Sequence, residues 1–374
     1  MDGKRLIEKI RLRNILSFGD KGEEITLEPL NIIIGQNASG KSNLVDVIKL
    51  LHSLPQDKGL VNFISKNGGV GEWMWKGKKT DEFAEIIITY RSKILDINYR
   101  FEFISDVLDN RAVVSEEAIM DNKTKKEVLF KKVKAPYESI LSFGYKDQEN
   151  EIIPQRFELR YLFGAIIAYT DLQTNRSAEI RKPQLPDVPN DFLEENASNL
   201  ALVLNDLEHR GDIKDKIVEN LKKFNPQIKD YSVRILGGTV QLFIREEKLE
   251  KPISAMRLSD GTLRYLCLLV ILCHPKPPPL ICIEEPETGL HPDILPTIAE
   301  LMIEASARTQ LIITTHSDIL VSAFSEVPEA VLVCEKDEDG THFKRLEADK
   351  LKVWLEEYTL GEVWLRGEIG GTRW

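Results

Sequence analysis

The sequence predicts an α/β fold: a mainly parallel core sheet flanked by helices, with a β-rich lobe inserted into it and a helical lobe ahead of its final third. Three observations predict it. An apolar run at 30–34 stops at Gly35 and is followed by a helical pattern, the strand–loop–helix order of a parallel sheet. From residue 258 onward, helix-like and strand-like segments alternate. Between these regions, residues 61–170 hold short strand-like runs punctuated by charged turns, with no sustained heptad repeat.

The elements follow in order. Runs 7–18 and 24–27 are partly alternating and read as strands, and 30–34 reads as a buried strand. Leu44, Ile48, Leu51 and Leu54 recur at helical spacing, and Pro55 ends that helix. Within 61–170 the strand-like runs are 84–90, 94–104, 112–120 and 128–133. Residues 171–198 contain Pro183, Pro186 and Pro189 and are expected to be an extended connection. Helical patterns return at 200–207 and through Ile213, Ile217, Leu221 and Phe224. Runs 231–236 and 239–245, joined by Gly237-Gly238, predict a hairpin. A helix over 263–273 ends before Pro275; then come a strand at 280–283, a helix at 294–305, and strands at 311–314 and 330–334. The expected division is a core of 1–60 and 250–374, a lobe of 61–170, and a linking segment of 171–249.

Composition narrows the function classes. At 374 residues with 42% hydrophobic content, the chain can bury a substantial core. Its longest apolar run, 263–273, is interrupted by Arg264 and is too short to span a bilayer, so no membrane association is expected. The N-terminus lacks the apolar core of a signal peptide. Cys267, Cys273, Cys282 and Cys334 form no CxxC pair, which fits a reducing cytoplasm. A net charge of −10 argues against an all-over nucleic-acid-binding surface but leaves room for local basic patches. The candidates are Lys123, Lys125, Lys126, Lys131, Lys132 and Lys134, and separately Lys76, Lys78 and Lys79. Such runs are commonly solvated faces; the alternative is sequence-blind contact with phosphate backbone.

The chemistry-bearing residues fall in four places. Gly35-Gln36-Asn37-Ala38-Ser39-Gly40-Lys41-Ser42 matches the phosphate-cradling pattern G-x-x-x-x-G-K-[ST] in full, between a strand and a helix. Its glycines let backbone N–H groups face phosphates at a helix N-terminus. Lys41 is expected to reach the β- and γ-phosphates of ATP, and the Ser42 hydroxyl to ligate Mg²⁺. The run Ile281-Cys282-Ile283-Glu284-Glu285 ends a strand in two acids. Alone it would be a solvated turn; beside a phosphate loop, Glu284 reads as the metal-side acid and Glu285 as the base that activates water. Leu258-Ser259-Asp260-Gly261-Thr262 opens an apolar helix, with Ser259 a good N-cap and Gly261 allowing close backbone approach. His316 follows a strand, as a γ-phosphate sensor would, although a lone histidine there is often structural.

These elements, in this order, resemble the ABC-type ATPases. GQNASGKS is similar to the Walker A loop, LSDGT to the ABC signature, ICIEE to the Walker B strand, PETGLHP to the D-loop and TTHS to the switch histidine. The resemblance implies an ABC-ATPase head in which the signature of one chain (Ser259, Asp260, Gly261) meets the ATP held by the Walker A loop of another. That is a head-to-tail homodimer over two ATP molecules. Asn37 and Asn43, the EEPETGLHP string and the LSDGTLR signature are more narrowly similar to RecF/SMC-like and OLD-like predicted ATPases. Asn199-Leu200-Ala201, Leu360-Gly361-Glu362-Val363-Trp364 and Gly370-Gly371 are similar to a compact single-chain branch of that group. The metal-side acid is Glu284 where many relatives have Asp, and Gln155, Gln173 and Gln184 all compete for the Q-loop.

The resemblance implies an ATP-hydrolysing switch in DNA maintenance, such as repair, or in defence against foreign DNA, including phage. Its competitors are the nucleotide-binding subunit of a membrane transporter and an ATP-binding scaffold without turnover. No heptads or zinc-hook CxxC lie between the Walker A loop and the signature, so a long-armed tether is not expected. The stretch after His316 is too short for a fused TOPRIM nuclease. A separately encoded effector, plausibly TOPRIM-like, is therefore expected. Its candidate docking surfaces are the basic lobe around 123–134 and the tail 364–374, with Trp364, Arg373 and Trp374.

Overall fold

A computed structural model describes residues 3–78, 80–106, 110–132, 137–142, 153–187, 189–208 and 213–371. Lys79, Lys134, Arg373 and Trp374, named above, lie outside the described residues. The chain opens with β1 (Lys9–Arg13) and β2 (Glu23–Thr26), then enters β3 (Leu30–Gly35), whose residues are all buried. β1 stops where Asn14 and Leu16 take left-handed φ angles of 53° and 51°, so the strand expected over 7–18 is cut short by a tight turn. Helix α1 (Lys41–Ser53) follows, with Leu44, Val45, Ile48 and Leu51 on its buried side. Two short helices, α2 (Gly59–Lys66) and α3 (Val70–Trp73), precede four long strands: β4 (Phe83–Arg91), β5 (Asp96–Asp106), β6 (Arg111–Asp121) and β7 (Lys126–Lys132).

These strands do not form a sheet of their own. β4 pairs with β1, so the order is β2-β1-β4-β5-β6-β7, antiparallel throughout. Ile10 faces Ile88 and Leu12 faces Ile86 across the β1–β4 seam, and all four are buried. Cross-strand apolar pairing thus fuses the inserted strands to the N-terminal hairpin. Helix α4 (Pro154–Gly164) and β8 (Ile167–Tyr169) complete the 61–170 stretch. β8 leaves the antiparallel sheet altogether and pairs with the core.

The later elements are α5 (Leu200–Glu208), α6 (Ile213–Phe224), the hairpin β9 (Ile228–Leu236) and β10 (Thr239–Glu246), β11 (Ile253–Ser254) and α7 (Asp260–Cys273). Gly237 and Gly238 turn the hairpin with φ of 57° and 76°, the left-handed pair a two-residue turn requires. Then come β12 (Leu280–Glu284), α8 (Leu295–Ser306), β13 (Gln310–Thr314), α9 (Asp318–Ser322), β14 (Val331–Asp337), β15 (Gly340–Arg345), α10 (Ala348–Leu355) and α11 (Leu360–Leu365). The core sheet has the order β15-β14-β3-β13-β12-β8, parallel except for β15.

Both faces of that sheet are covered, which explains its largely apolar strands. Leu30, Ile32, Ile34, Ile281 and Ile283 point into a core shared with α5, α7 and α8. Ile33, Leu280 and Cys282 point the other way, into a core shared with α1 and the antiparallel sheet. The parallel register aligns four strands toward one edge: Glu284 faces Thr314, Thr314 faces Ile33, and Cys334 faces Gly35. Open parallel sheets bind ligands at that edge. Among the described residues, no helix is long and apolar enough to cross a membrane. All four cysteines are free and buried.

Candidate functional site

The loop after β3 is shaped by close backbone approach. A side chain on Gly35 would collide with the Cys334 carbonyl, and one on Gly40, at φ 115°, would collide with Thr341 Oγ1. Within this curl Lys41 is 6% exposed, and its Nζ donates to Gly35 O and Gln36 O at 2.8 Å each. Burial lowers its pKa below the ordinary lysine value, while Cys334, Glu285 and Glu284 pull the other way. The ammonium is thus buried, with acidic groups close by, and two backbone carbonyls accept its hydrogen bonds. A hydroxyl network braces the loop: Asn43 Nδ2 donates to Ser17 Oγ at 2.6 Å, and the Thr341 hydroxyl lies 2.7 Å from both Ser17 Oγ and Ser39 O.

Ser42 and Glu284 meet across α1 and β12. The Ser42 hydroxyl hydrogen-bonds the Glu284 carboxylate, whose pKa burial pushes up against that bond. Two hard oxygen donors, one on a half-buried acid, fit an Mg²⁺ ion. Glu285 follows in a left-handed conformation at φ 44°, which turns its side chain away from the strand. Its N–H donates to Thr314 O at 2.9 Å, and its Oε1 lies 3.8 Å from His316 Nε2. A cleft of about 400 Å³ results, lined by Asn37, Ala38, Gly40, Lys41, Ser42, Asn43, Glu285, Thr314, His316 and Lys336. Gln36 and Ser39 line an adjoining cleft of about 760 Å³ on the β14 side.

Two residues of this site were not singled out from sequence. Glu287, in the PET turn, accepts from Thr315 Oγ1 at 2.7 Å and from His316 N at 2.9 Å, fixing the histidine backbone. Arg264, the cation inside the apolar helix α7, donates to Glu285 O at 3.3 Å. An arginine inside an apolar helix was the available signal for it. Of the competing glutamines, Gln184 is buried, and its Oε1 accepts from Ala201 N and Leu202 N at the start of α5. Gln155 lies on α4, whereas Gln173 is exposed on the segment leaving β8 at the ligand edge.

Ser259, Asp260 and Gly261 are not among the residues lining the cleft of their own chain. Ser259 caps α7, accepting from Thr262 N at 3.0 Å, and a Cβ on Gly261 would lie 3.0 Å from Gly289 O. Among the basic residues, Lys76 is ion-paired with Glu72, Lys123 Nζ donates to Ile94 O at 3.2 Å, and Lys125 and Lys126 are exposed. Trp364 is 2% exposed and its Nε1 donates to Gly371 O at 2.9 Å, so this indole is packed on its own chain.

The fold and this cleft are those of a P-loop nucleotide-binding head, SMC-head-like in architecture. The chain belongs to the AAA_21 family, described as "AAA domain, putative AbiEii toxin, Type IV TA system", whose model matches residues 30–322. It is 22% identical over 371 residues to the Old nuclease of Escherichia phage P2, covering 89% of this chain and 60% of the nuclease. The chain thus spans less than two thirds of that relative's length. It is also 22% identical over 366 residues to an ATP/GTP phosphatase of Helicobacter pylori, covering 89% and 93%. In fold it is similar to an Smc head bound to the C-terminal domain of ScpA, derived from Pyrococcus furiosus (TM-score 0.63, 15% identity, 94% and 99% covered). An SmcHead bound to the C-winged helix domain of ScpA gives a TM-score of 0.62 at 17% identity, with 92% and 99% covered.

Proposed function

We propose that this chain is a nucleotide-driven dimerisation switch that binds and hydrolyses ATP between two heads. One observation carries the proposal: the cleft holding Lys41, Glu285 and His316 contains none of Ser259, Asp260 and Gly261, which stand exposed or half-exposed at the start of α7. A second head brought head to tail would supply them. The backbone N–H groups of 37–42 and Lys41 would bind the phosphates, and Ser42 and Glu284 would hold Mg²⁺, which would supply neutralisation of phosphate charge. Glu285 takes the proton of the attacking water as the water oxygen bonds to the γ-phosphorus and the bond to the ADP oxygen breaks. His316, 3.8 Å from Glu285, orients that pair.

Closure of two heads then acts on other molecules, in DNA maintenance or in defence against foreign DNA, through a separately encoded effector. The likeness to an Old nuclease supports a nuclease link, and the Smc heads bound to ScpA support a head that engages a second protein. The test is Glu285→Gln. The amide cannot take a proton, so turnover should fall about 10²–10⁴-fold while ATP affinity stays. With ATP the variant should elute as a dimer in size exclusion, and without ATP as a monomer. Wild-type turnover, or a monomer at saturating ATP, would overturn the proposal.

A further inference from the structure

Arg181 lies outside every motif, in the connection between β8 and α5, yet its side chain is 4% exposed. A buried guanidinium carries five N–H donors that all require acceptors. Here they are supplied by two separate segments. Nε donates to Thr174 O at 2.9 Å and Asn175 O at 3.0 Å. Nη1 donates to Ala255 O at 3.2 Å and Leu258 O at 2.7 Å, and Nη2 pairs with the Asp260 carboxylate. The first segment leaves β8, whose Tyr169 is in register with Ile283 of the Walker B strand. The second is the loop that ends in Ser259, the cap of α7.

We propose that Arg181 is the positioning residue of the signature. It gathers the carbonyls of 255–258 and the Asp260 carboxylate around one rigid fork, and so sets where Ser259 and Gly261 stand when they meet the partner head. The same fork ties that loop to the segment leaving the sheet beside Glu284. This inference rests on the two-head reading above. Leu258 O and Asp260 flank Ser259 on both sides, so losing the fork frees the capping residue of α7 as well as the loop before it. Arg181 touches no reacting atom of its own chain. Its defect should therefore appear in the partner's site.

Arg181→Met and Arg181→Lys both remove the fork, and the lysine keeps a positive charge near Asp260. The hydrogen-bond partners of Arg181 lie outside the Walker A loop, so both variants should bind ATP with the wild-type Kd. Their kcat should fall about 10²-fold, the scale expected when a catalytic group is misplaced by about 1 Å. Complementation then locates the lesion. Mixed with Lys41→Ala chains, an Arg181 variant contributes an intact Walker A loop opposite an intact signature, and ATPase activity should return. Mixed with Gly261→Arg chains, both sites lack a working signature, and activity should stay absent. If Arg181→Met fails to fold, Arg181→Lys carries the same test.

Loss of ATP binding in the folded variants, wild-type turnover, or recovery with Gly261→Arg chains instead of Lys41→Ala chains would overturn the inference. A Lys41→Ala plus Gly261→Arg mixture serves as control for the two-head reading. Its failure, with heterodimers demonstrated, would overturn that reading and the trans role of Arg181 together. Recovery of the control without recovery of the Arg181 variants would overturn the role of Arg181 alone.

Discussion

Two hydrogen bonds to Glu287 fix the backbone at His316. Thr315 Oγ1 and His316 N both donate to its Oε1, at 2.7 and 2.9 Å, so the turn after β13 is pinned to the turn after β12. The histidine meets Glu285 through backbone placement rather than through a strong bond to its side chain, since 3.8 Å is too long for one. Glu287→Ala strands two donors, a loss of about 1–3 kcal/mol. If that loss falls on the transition state, kcat should drop roughly 5- to 150-fold with KM for ATP little changed. Glu287→Gln keeps a carbonyl acceptor and should retain most of the activity. Steady-state kinetics on the two variants decide the matter; an alanine variant at wild-type kcat would remove the role assigned to Glu287.

At the scale of elements, β15 closes the core sheet and contacts β2 of the antiparallel sheet, and His342 sits at that junction. Its Nδ1 lies 2.9 Å from Glu23 Oε2 and its Nε2 3.1 Å from Asp337 Oδ1. Burial works against its charge, but the hydrogen bonds and charges of Glu23 and Asp337 outweigh it, and its pKa ends above the ordinary 6.5. A histidine whose folded pKa is raised stabilises fully below its unfolded pKa, and the contribution is lost as pH rises through the folded value. The Tm gap between wild type and His342→Gln should therefore be wider near about pH 6 than near about pH 9. An equal gap at both would show that the clamp is not charged.

Legibility also divides by element. β3 and β12 are buried on both faces, so each, Asn31 and the terminal Glu284 apart, is an apolar run that reads directly as a core strand. β8 has three residues, too few for any period to register, and its place beside β12 is a long-range pairing. In α4 the buried positions are Arg156, Leu159 and Phe163. Their spacing is helical, but the first is an arginine donating to Ile140 O and Ser142 O, which hides the apolar stripe. The same reason applies to the site. Lys41, Glu284, Glu285 and His316 sit in contiguous strings that local sequence displays, whereas Glu287 and Arg264 act through contacts made only after distant segments pack.

On the scale of the whole molecule, the C-terminal segment closes the structure onto the nucleotide loop. Gly361 packs so tightly against the Asp318 carbonyl of α9 that a side chain there would collide with it. Leu360 N donates to Ser325 Oγ at 2.9 Å. Beyond α11, Gly371 N donates to Glu335 Oε1 at 2.9 Å, and a Cβ on Gly371 would lie 3.2 Å from the Cα of Gly35, where the loop leading to Lys41 begins. One stretch thus braces both α9, which follows His316, and the loop that holds Lys41. A docking tail could be removed without cost to ATP binding; a brace could not. Deleting residues 361–374 should lower Tm and weaken ATP affinity together, measured by thermal melting and nucleotide titration. Trp364→Ala should cost about 3–5 kcal/mol through the cavity it leaves. Trp364→Phe keeps an aromatic ring, leaves a smaller cavity than alanine and leaves Gly371 O without its donor, and should cost at least about 1–3 kcal/mol. A truncated chain with wild-type Tm and wild-type ATP affinity would instead return the segment to the role of a dispensable docking tail.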